Sequence, residues 1–189
     1  MLSKVPDIAT NELRRLIEGS AASDRTCQKL LYEWYSPKMM MLCLRYARNA
    51  EEAEEILQDG FLQMYRHIRQ YKFSGPFASW LRKIMINCAL MRYRTKEMPA
   101  RVIPLTPDHD PPAGDEDCLD RLGEQELIRM IQGLPPAYRM VFNLYVFEGL
   151  KHREIAQLLK ISEGTSKSNL WDARALLRQA LAGNLRVAK

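Results

Sequence analysis

Apolar residues recur along this chain with a 3.6-residue period almost throughout, and no stretch alternates convincingly as a strand would. The pattern predicts a short helix capped by Thr10, carrying Leu13, Leu16 and Ile17 and ending at Gly19. A second opens at Asp24 with Cys27, Leu30, Leu31 and Trp34 inward, and breaks at Ser36-Pro37. Pro37 then starts a third, which uses Met40, Leu44 and Ala47. Asn49 precedes a longer helix, from Ala50 to about Tyr71, striped by Ala53, Leu57, Phe61, Met64 and Ile68. Ser74-Gly75-Pro76 is a stop, and the next helix covers residues 77–94 with Phe77, Leu81, Ile84, Cys88 and Met91 aligned. The period resumes at Leu119, Leu122, Leu127, Met130, Ile131 and Leu134. Pro135-Pro136 starts a further helix with Val141, Leu144 and Tyr145, which ends near Gly149.

The most informative stretch is residues 151–178, which read as a helix-turn-helix. Its first helix runs from His152 to Leu159 with Ile155, Ala156 and Leu159 on one face, and Lys160-Ile161-Ser162 forms the turn. Ser162 is placed to cap the second helix, with Glu163 in the first turn where the helix dipole favours an acid. Leu170, Ala173, Leu177 and Leu181 give that helix a buried stripe, while Lys167, Trp171, Arg174 and Arg178 share another face. A helix with a basic outer face and one aromatic, held across a shorter helix, suits a DNA major groove. The same pattern also fits an ordinary helical hairpin with a solvated face.

Composition divides the chain. Five of its ten prolines fall between Pro99 and Pro112, and the segment from Thr106 to Asp120 holds six acids and no Lys or Arg. This reads as an extended, solvated linker over 99–120, joining a helical domain of residues 1–98 to a smaller one of residues 121–189. The fold expected is all-α, two small helical domains on a flexible acidic tether. The whole chain carries +5, so the rest of it carries +11, a balance that points to a polyanionic partner.

Cys27, Cys43, Cys88 and Cys118 are far apart and show none of the close pairing a zinc site uses; buried free thiols in a reducing cytosol are expected. His67, His109 and His152 are isolated too, so neither a metal nor a cofactor is expected. Met39–Leu44 and Val141–Phe147 are too short to span a bilayer, and the N-terminus lacks the apolar region of a signal peptide. A soluble, cytoplasmic protein without membrane insertion is the expectation. With no Gly-rich phosphate loop, paired ligands or nucleophile–base set, an enzyme is not expected.

Several fragments, in order, resemble one family across almost the whole chain. They are Ala53-Glu54-Glu55-Ile56-Leu57-Gln58-Asp59-Gly60-Phe61, Phe77-Ala78-Ser79-Trp80-Leu81 and Asn87 in the first domain. In the second they are Leu134-Pro135, Tyr138-Arg139-Met140-Val141-Phe142, Glu148-Gly149, Glu154-Ile155-Ala156, Ile161-Ser162-Glu163-Gly164-Thr165, Lys167-Ser168 and Ala173-Arg174. The resemblance is to RNA polymerase sigma factors of the sigma-70 family, specifically the two-domain extracytoplasmic-function (ECF) type. It implies that the first domain is region 2, which binds core RNA polymerase and the −10 element. The second would be region 4, whose helix-turn-helix binds the −35 element of promoter DNA. It also implies an anti-sigma factor as a partner, and a linker threading the polymerase's catalytic channel. The acidic run would mimic nucleic acid there, or would simply be a soluble tether.

The resemblance places Gln58 and Asp59 against the coiled coil of the polymerase's largest subunit, where charge-assisted bonds to arginine supply orientation. For the −10 strand the candidates are Lys72, Phe73, Ser74, Trp80, Asn87 and Arg92, with Arg82, Lys83 and Arg94 also available for phosphate. Capturing unstacked bases needs aromatic faces and hydrogen bonds. Trp80 fits a core role as well, and Asn87 is the leading base contact. For the −35 duplex the candidates are Lys167, Ser168, Asn169, Trp171 and Arg174. Three positions depart from the family pattern: Asn169 and Asp172 stand where arginine is common, and Ser166 replaces a small apolar residue. Asp172 would repel phosphate, so it either reads a cytosine amino group or pairs with a neighbouring arginine.

Two other classes fit parts of this pattern. A two-domain helix-turn-helix regulator acting without core polymerase would need a ligand pocket or dimer surface in the first domain. A purely helical adaptor gives no reason for a basic recognition face. Binding to core polymerase, rather than to duplex alone, separates the sigma factor from the regulator.

Overall fold

Local signals start most of the helices where expected. Asp24 accepts hydrogen bonds from the backbone N–H of Thr26 (2.7 Å) and Cys27 (3.2 Å), and α2 (Arg25–Tyr46) begins behind it. Asn49 accepts from Glu52 N–H at 2.9 Å and opens α3 (Ala50–His67), which tightens into a 3₁₀ turn over Ile68–Gln70. With α1 (Thr10–Ala21) and α4 (Phe77–Glu97) these make the N-terminal half. The C-terminal half has α5 (Arg121–Gln132), α6 (Pro136–Val146), α7 (His152–Leu159) and α8 (Glu163–Val187). The computed structural model describes residues 10–97 and 121–187; the expected linker and Cys118 lie outside the described residues. All secondary structure among the described residues is helical.

Three expectations need correction. Pro37 does not break a helix: α2 runs straight through it. Tyr35 before it and Met39, Leu42, Cys43 and Tyr46 after it are all buried, so packing on both sides outweighs one missing backbone hydrogen bond. Met91 is 49% exposed, because the stripe expected for α4 runs along one edge of its true buried arc. That arc is centred on Leu81, Met85 and Ala89, with Ile86 and Leu90 on its far side. Leu181 is 48% exposed, since the packed stripe of α8 stops at Leu177. The expected stripe of α3, from Ala53 through Ile68, is buried in full.

The N-terminal core joins α2, α3 and α4 around Leu31, Met39, Tyr46, Met64, Phe77, Leu81, Met85 and Leu90. At Gly60 α3 comes so near α4 that an added Cβ would stand 2.1 Å from Met85 Sδ. The C-terminal core is built from Ile131, Leu134, Val141, Leu144, Ile155, Leu159, Leu170 and Ala173.

Nothing in the periodicity announces that the two halves also touch each other. Asn143 Nδ2 on α6 donates to the Arg45 carbonyl at 2.9 Å, and Gln132 Nε2 on α5 donates to the Leu44 carbonyl at 3.1 Å. The Arg45 guanidinium lies over the Phe147 ring, 4.2 Å from its centroid. Glu148 is the hub: buried, it accepts two bonds from Arg82 of α4 (2.7 and 2.9 Å) and one from the Tyr46 hydroxyl (3.3 Å). Burial and the adjacent Glu148 carboxylate push the Tyr46 phenol well up, so it stays a donor.

Candidate nucleic-acid interface

Helix α3 presents Gln58 and Asp59 to solvent, one turn from the buried side of the same helix. Asp59 is not alone. Arg92 of α4 reaches across to it at 3.4 Å and also pairs with Glu55 and, at 3.8 Å, with Glu52. Arg92, expected on the −10 side, therefore lies with the acidic flank of α3. Exposed Leu62 follows Gln58 by one turn and extends the same outward face.

The −10 candidates gather at the start of α4. Tyr71, Phe73, Phe77 and Trp80 form one aromatic cluster, with Tyr71 4.9 Å from Phe73, 5.3 Å from Phe77 and 5.4 Å from Trp80 between ring centroids. Phe73 has φ +56°, a left-handed conformation that non-glycine residues seldom adopt, and its ring is 43% exposed. The Arg14 guanidinium of α1 stands over that ring, 5.0 Å from its centroid. Lys72 and Ser74 flank Phe73 in the open. Trp80 is half-buried, packed on Phe77 yet open at one edge, so it serves core and surface together.

At about 100° per residue, Trp80, Lys83, Ile84, Asn87 and Met91 fall on one side of α4. Asn87 is half-buried, and its Oδ1 has no hydrogen-bond partner among the described residues. An amide oxygen in that state lowers its energy by accepting a donor. Two cations expected for phosphate face the C-terminal half instead: Arg82 holds Glu148, and Arg94 donates to the Leu158 carbonyl.

In the helix-turn-helix, α7 begins with Glu154 accepting from Lys151 N–H at 2.7 Å. It ends at Lys160, whose φ of +54° turns the chain toward α8. Ser162 caps α8 as expected, accepting from Thr165 N–H at 2.9 Å. Lys167, Trp171, Arg174 and Arg178 stand exposed on one side of α8, with Trp171 69% exposed. Ser168 lies at the edge of that side, and half-buried Asn169 is on the far flank of the packed stripe.

Sequence reasoning missed the groups that hold these candidates in place: Glu148 between the halves, and Tyr138, Tyr145 and His152 beside α8. Tyr138 and Glu148 stand inside the fragments that carry the family resemblance, but nothing there marks their partners. Of the cysteines expected to be buried free thiols, burial raises Cys43 to about 12 and Cys88 to about 11, so both stay protonated. Cys43 is buried, whereas Cys27 and Cys88 are only half-buried. Among the described residues no His, Cys, Asp or Glu cluster could hold a metal, and no helix is long and apolar enough to cross a membrane.

Comparison with known proteins places these two halves. The family description "Sigma-70 region 2" matches residues 31–97, and "Sigma-70, region 4" matches residues 124–177. The chain is 28% identical to the RNA polymerase sigma-H factor of Pseudomonas aeruginosa, covering 93% of this chain and 96% of that one. It is 30% identical to the ECF RNA polymerase sigma factor SigE of Mycolicibacterium smegmatis, covering 87% and 68% respectively. With the ECF RNA polymerase sigma factor SigW of Bacillus subtilis it shares 29% identity, over 89% and 96%.

Proposed function

This chain belongs to the sigma-70 family of RNA polymerase sigma factors, in its ECF branch, and from that premise we propose how its two halves divide the work. It is a transcription initiation factor: it binds core RNA polymerase, recognises −10 and −35 promoter elements and promotes initiation. Residues 1–98 form the half that engages polymerase and the −10 strand, 99–120 are the tether, and 121–189 read the −35 duplex. Work with core polymerase sets the cytoplasm as its place. An anti-sigma factor is the partner that would hold it inactive.

Gln58 and Asp59 meet the polymerase coiled coil, with Arg92 steadying Asp59 by an ion pair. On the −10 side, bases leave the stack before they can be bound. Phe73 and Trp80 offer aromatic faces for them, Asn87 an amide oxygen without a partner among the described residues, and Lys72 and Ser74 a cation and a hydroxyl beside the strand. On the −35 side, Lys167 and Arg174 suit guanine O6 and N7, and Trp171 suits a thymine methyl. Ser168 and Asn169 complete the set at its margins.

The observation that carries this reading is the order of matches, region 2 before region 4 with an unmatched stretch between. The test is run-off transcription from genomic fragments with purified core polymerase, with and without this protein. Asn87→Ala is expected to keep core binding and −35 recognition yet lose permanganate reactivity at the start site, with partial rescue on a pre-melted template. A variant that opens promoters normally would remove Asn87 from the −10 site.

A further inference from the structure

The three positions where α8 departs from the family pattern include two, Ser166 and Asp172, that do not face the side carrying Lys167, Trp171 and Arg174. Ser166 is fully buried, and its Oγ is 2.9 Å from His152 Nδ1 on α7. Asp172 lies beside Tyr138 of α6, close enough for its carboxylate to raise the phenol's pKa, chiefly through its charge. Asp172 therefore has a tyrosine as its neighbour, a group its sequence context did not suggest. A third contact completes the set. The His152 ring stacks on Tyr145 of α6, 4.7 Å between centroids at 25°, and the Arg174 guanidinium stands 5.6 Å from the centre of that tyrosine ring.

We infer that Ser166 and Asp172 are positioning residues, which with Tyr138, Tyr145 and His152 fix the rotation of the recognition helix so that Lys167, Trp171 and Arg174 meet the −35 bases in register. This rests on the reading of α8 as the −35 helix. The buried stripe Leu170, Ala173 and Leu177 sets how deeply α8 packs, but small apolar side chains tolerate a turn of some degrees about the helix axis. Directional bonds do not. The Ser166–His152 bond, within the stripe near the start of the helix, and the Tyr138 neighbour at Asp172, almost two turns later and to one side of the stripe, resist that rotation. Tyr145 acts on a reader directly, since a cation over a ring loses freedom before DNA arrives.

The experiment selects duplexes from a randomised pool with the assembled polymerase holoenzyme, comparing wild type, Tyr138→Phe, Asp172→Asn, Ser166→Ala, Tyr145→Phe, Tyr145→Leu and Lys167→Ala. Tyr138→Phe removes one hydroxyl oxygen and cannot touch a base. A helix that loses a pin should blur all its contacts together. Tyr138→Phe, Asp172→Asn and Ser166→Ala are thus expected to weaken preference at every −35 position, by roughly two- to tenfold overall. The salt dependence of binding should stay as in wild type, because the phosphate contacts remain. Lys167→Ala should instead flatten preference at one position, and Tyr145→Phe should match wild type where Tyr145→Leu does not. Matching circular dichroism shows which variants are folded, and Tyr138→Phe and Ser166→Ala need no new space. Two results overturn the inference: a change at a single base for Asp172→Asn, or wild-type selection by both Tyr138→Phe and Ser166→Ala. If wild type itself selects no sequence, the −35 reading falls, and the positioning role falls with it.

Discussion

In the N-terminal half the residues proposed to meet DNA stand on a loop and on the open side of a helix. Phe73 sits at φ +56° under Arg14, and Asn87 carries an amide oxygen with no partner among the described residues. In the C-terminal half the proposed readers project from a helix tied to its neighbours through Ser166, Asp172 and Arg174. The partners differ in the same way. A −35 duplex is regular before binding, so a helix preset to its groove loses little freedom on contact. Bases of a −10 strand are available only after they unstack, and a surface that gathers them gains from side chains able to adjust. On the proposed reading, one chain thus carries a braced reader on a helix and a more open one on a loop.

The largest way to break this comparison is to damage one core and watch the other. Leu81 is fully buried in the N-terminal half, and Leu81→Ala is expected to cost about 2–5 kcal/mol. Trp34 and Trp80 report that half in a denaturant titration, while Trp171 reports α8. Amide exchange in α7 and α8 should slow or quicken far less than in α3 and α4. Equal loss of protection in both halves would mean that they unfold as one unit, and that neither is rigid or compliant by itself.

A smaller effect is expected from Glu148→Gln. The change removes the charge that holds Arg82, whose side chain is 23% exposed and can regain water, so a loss of about 1–3 kcal/mol is expected. Small-angle scattering of the full chain should show a larger radius of gyration with unchanged helical content. An unchanged radius would show that Asn143, Gln132 and the Arg45–Phe147 contact suffice to hold the halves together.

The smallest expected effect sharpens the C-terminal side. Burial holds the His152 imidazole below its usual 6.5, helped by Lys167 and, less, by Arg174, while Glu163 pulls the other way. The fold therefore favours the neutral ring. Its contribution is complete above pH 6.5 and is lost as pH falls from there through the lowered folded value. Thermal melting followed at Trp171 should weaken slightly on acidification in wild type, and His152→Gln should lack that slope. A shared slope would assign it to another group.

Much of the fold was legible because its signals are local. Asp24, Asn49 and Ser162 cap where short polar residues should, and α7 starts and ends at the residues its periodicity marks. Pro37 was misread because a local rule met a helix packed on both sides of it. Met91 and Leu181 were misread because periodicity gives the direction of a stripe but neither its width nor where the body it packs on stops. Glu148–Arg82, 66 residues apart, and the Tyr138–Asp172 pair join positions that no spacing relates. Of the candidate site, the basic side of α8 was legible; the pairing of Arg92 with α3 and the support behind α8 were not.

The contact at Glu148 has a consequence for how this protein occupies a promoter. The −10 and −35 elements lie about 25 base pairs apart, which at 3.4 Å each is about 85 Å of duplex. In the structure described, a side chain of one half is 2.7 Å from a side chain of the other. On the proposed division of work, halves so joined do not read both elements of a single promoter, and Arg82 cannot grip a phosphate while it grips a carboxylate. The docked chain would then be a form that withholds itself from DNA. By mass action, as long as the docked form predominates, whatever tightens the contact between the halves would lower apparent promoter affinity by the same factor, and whatever loosens it would raise that affinity until the open form predominates.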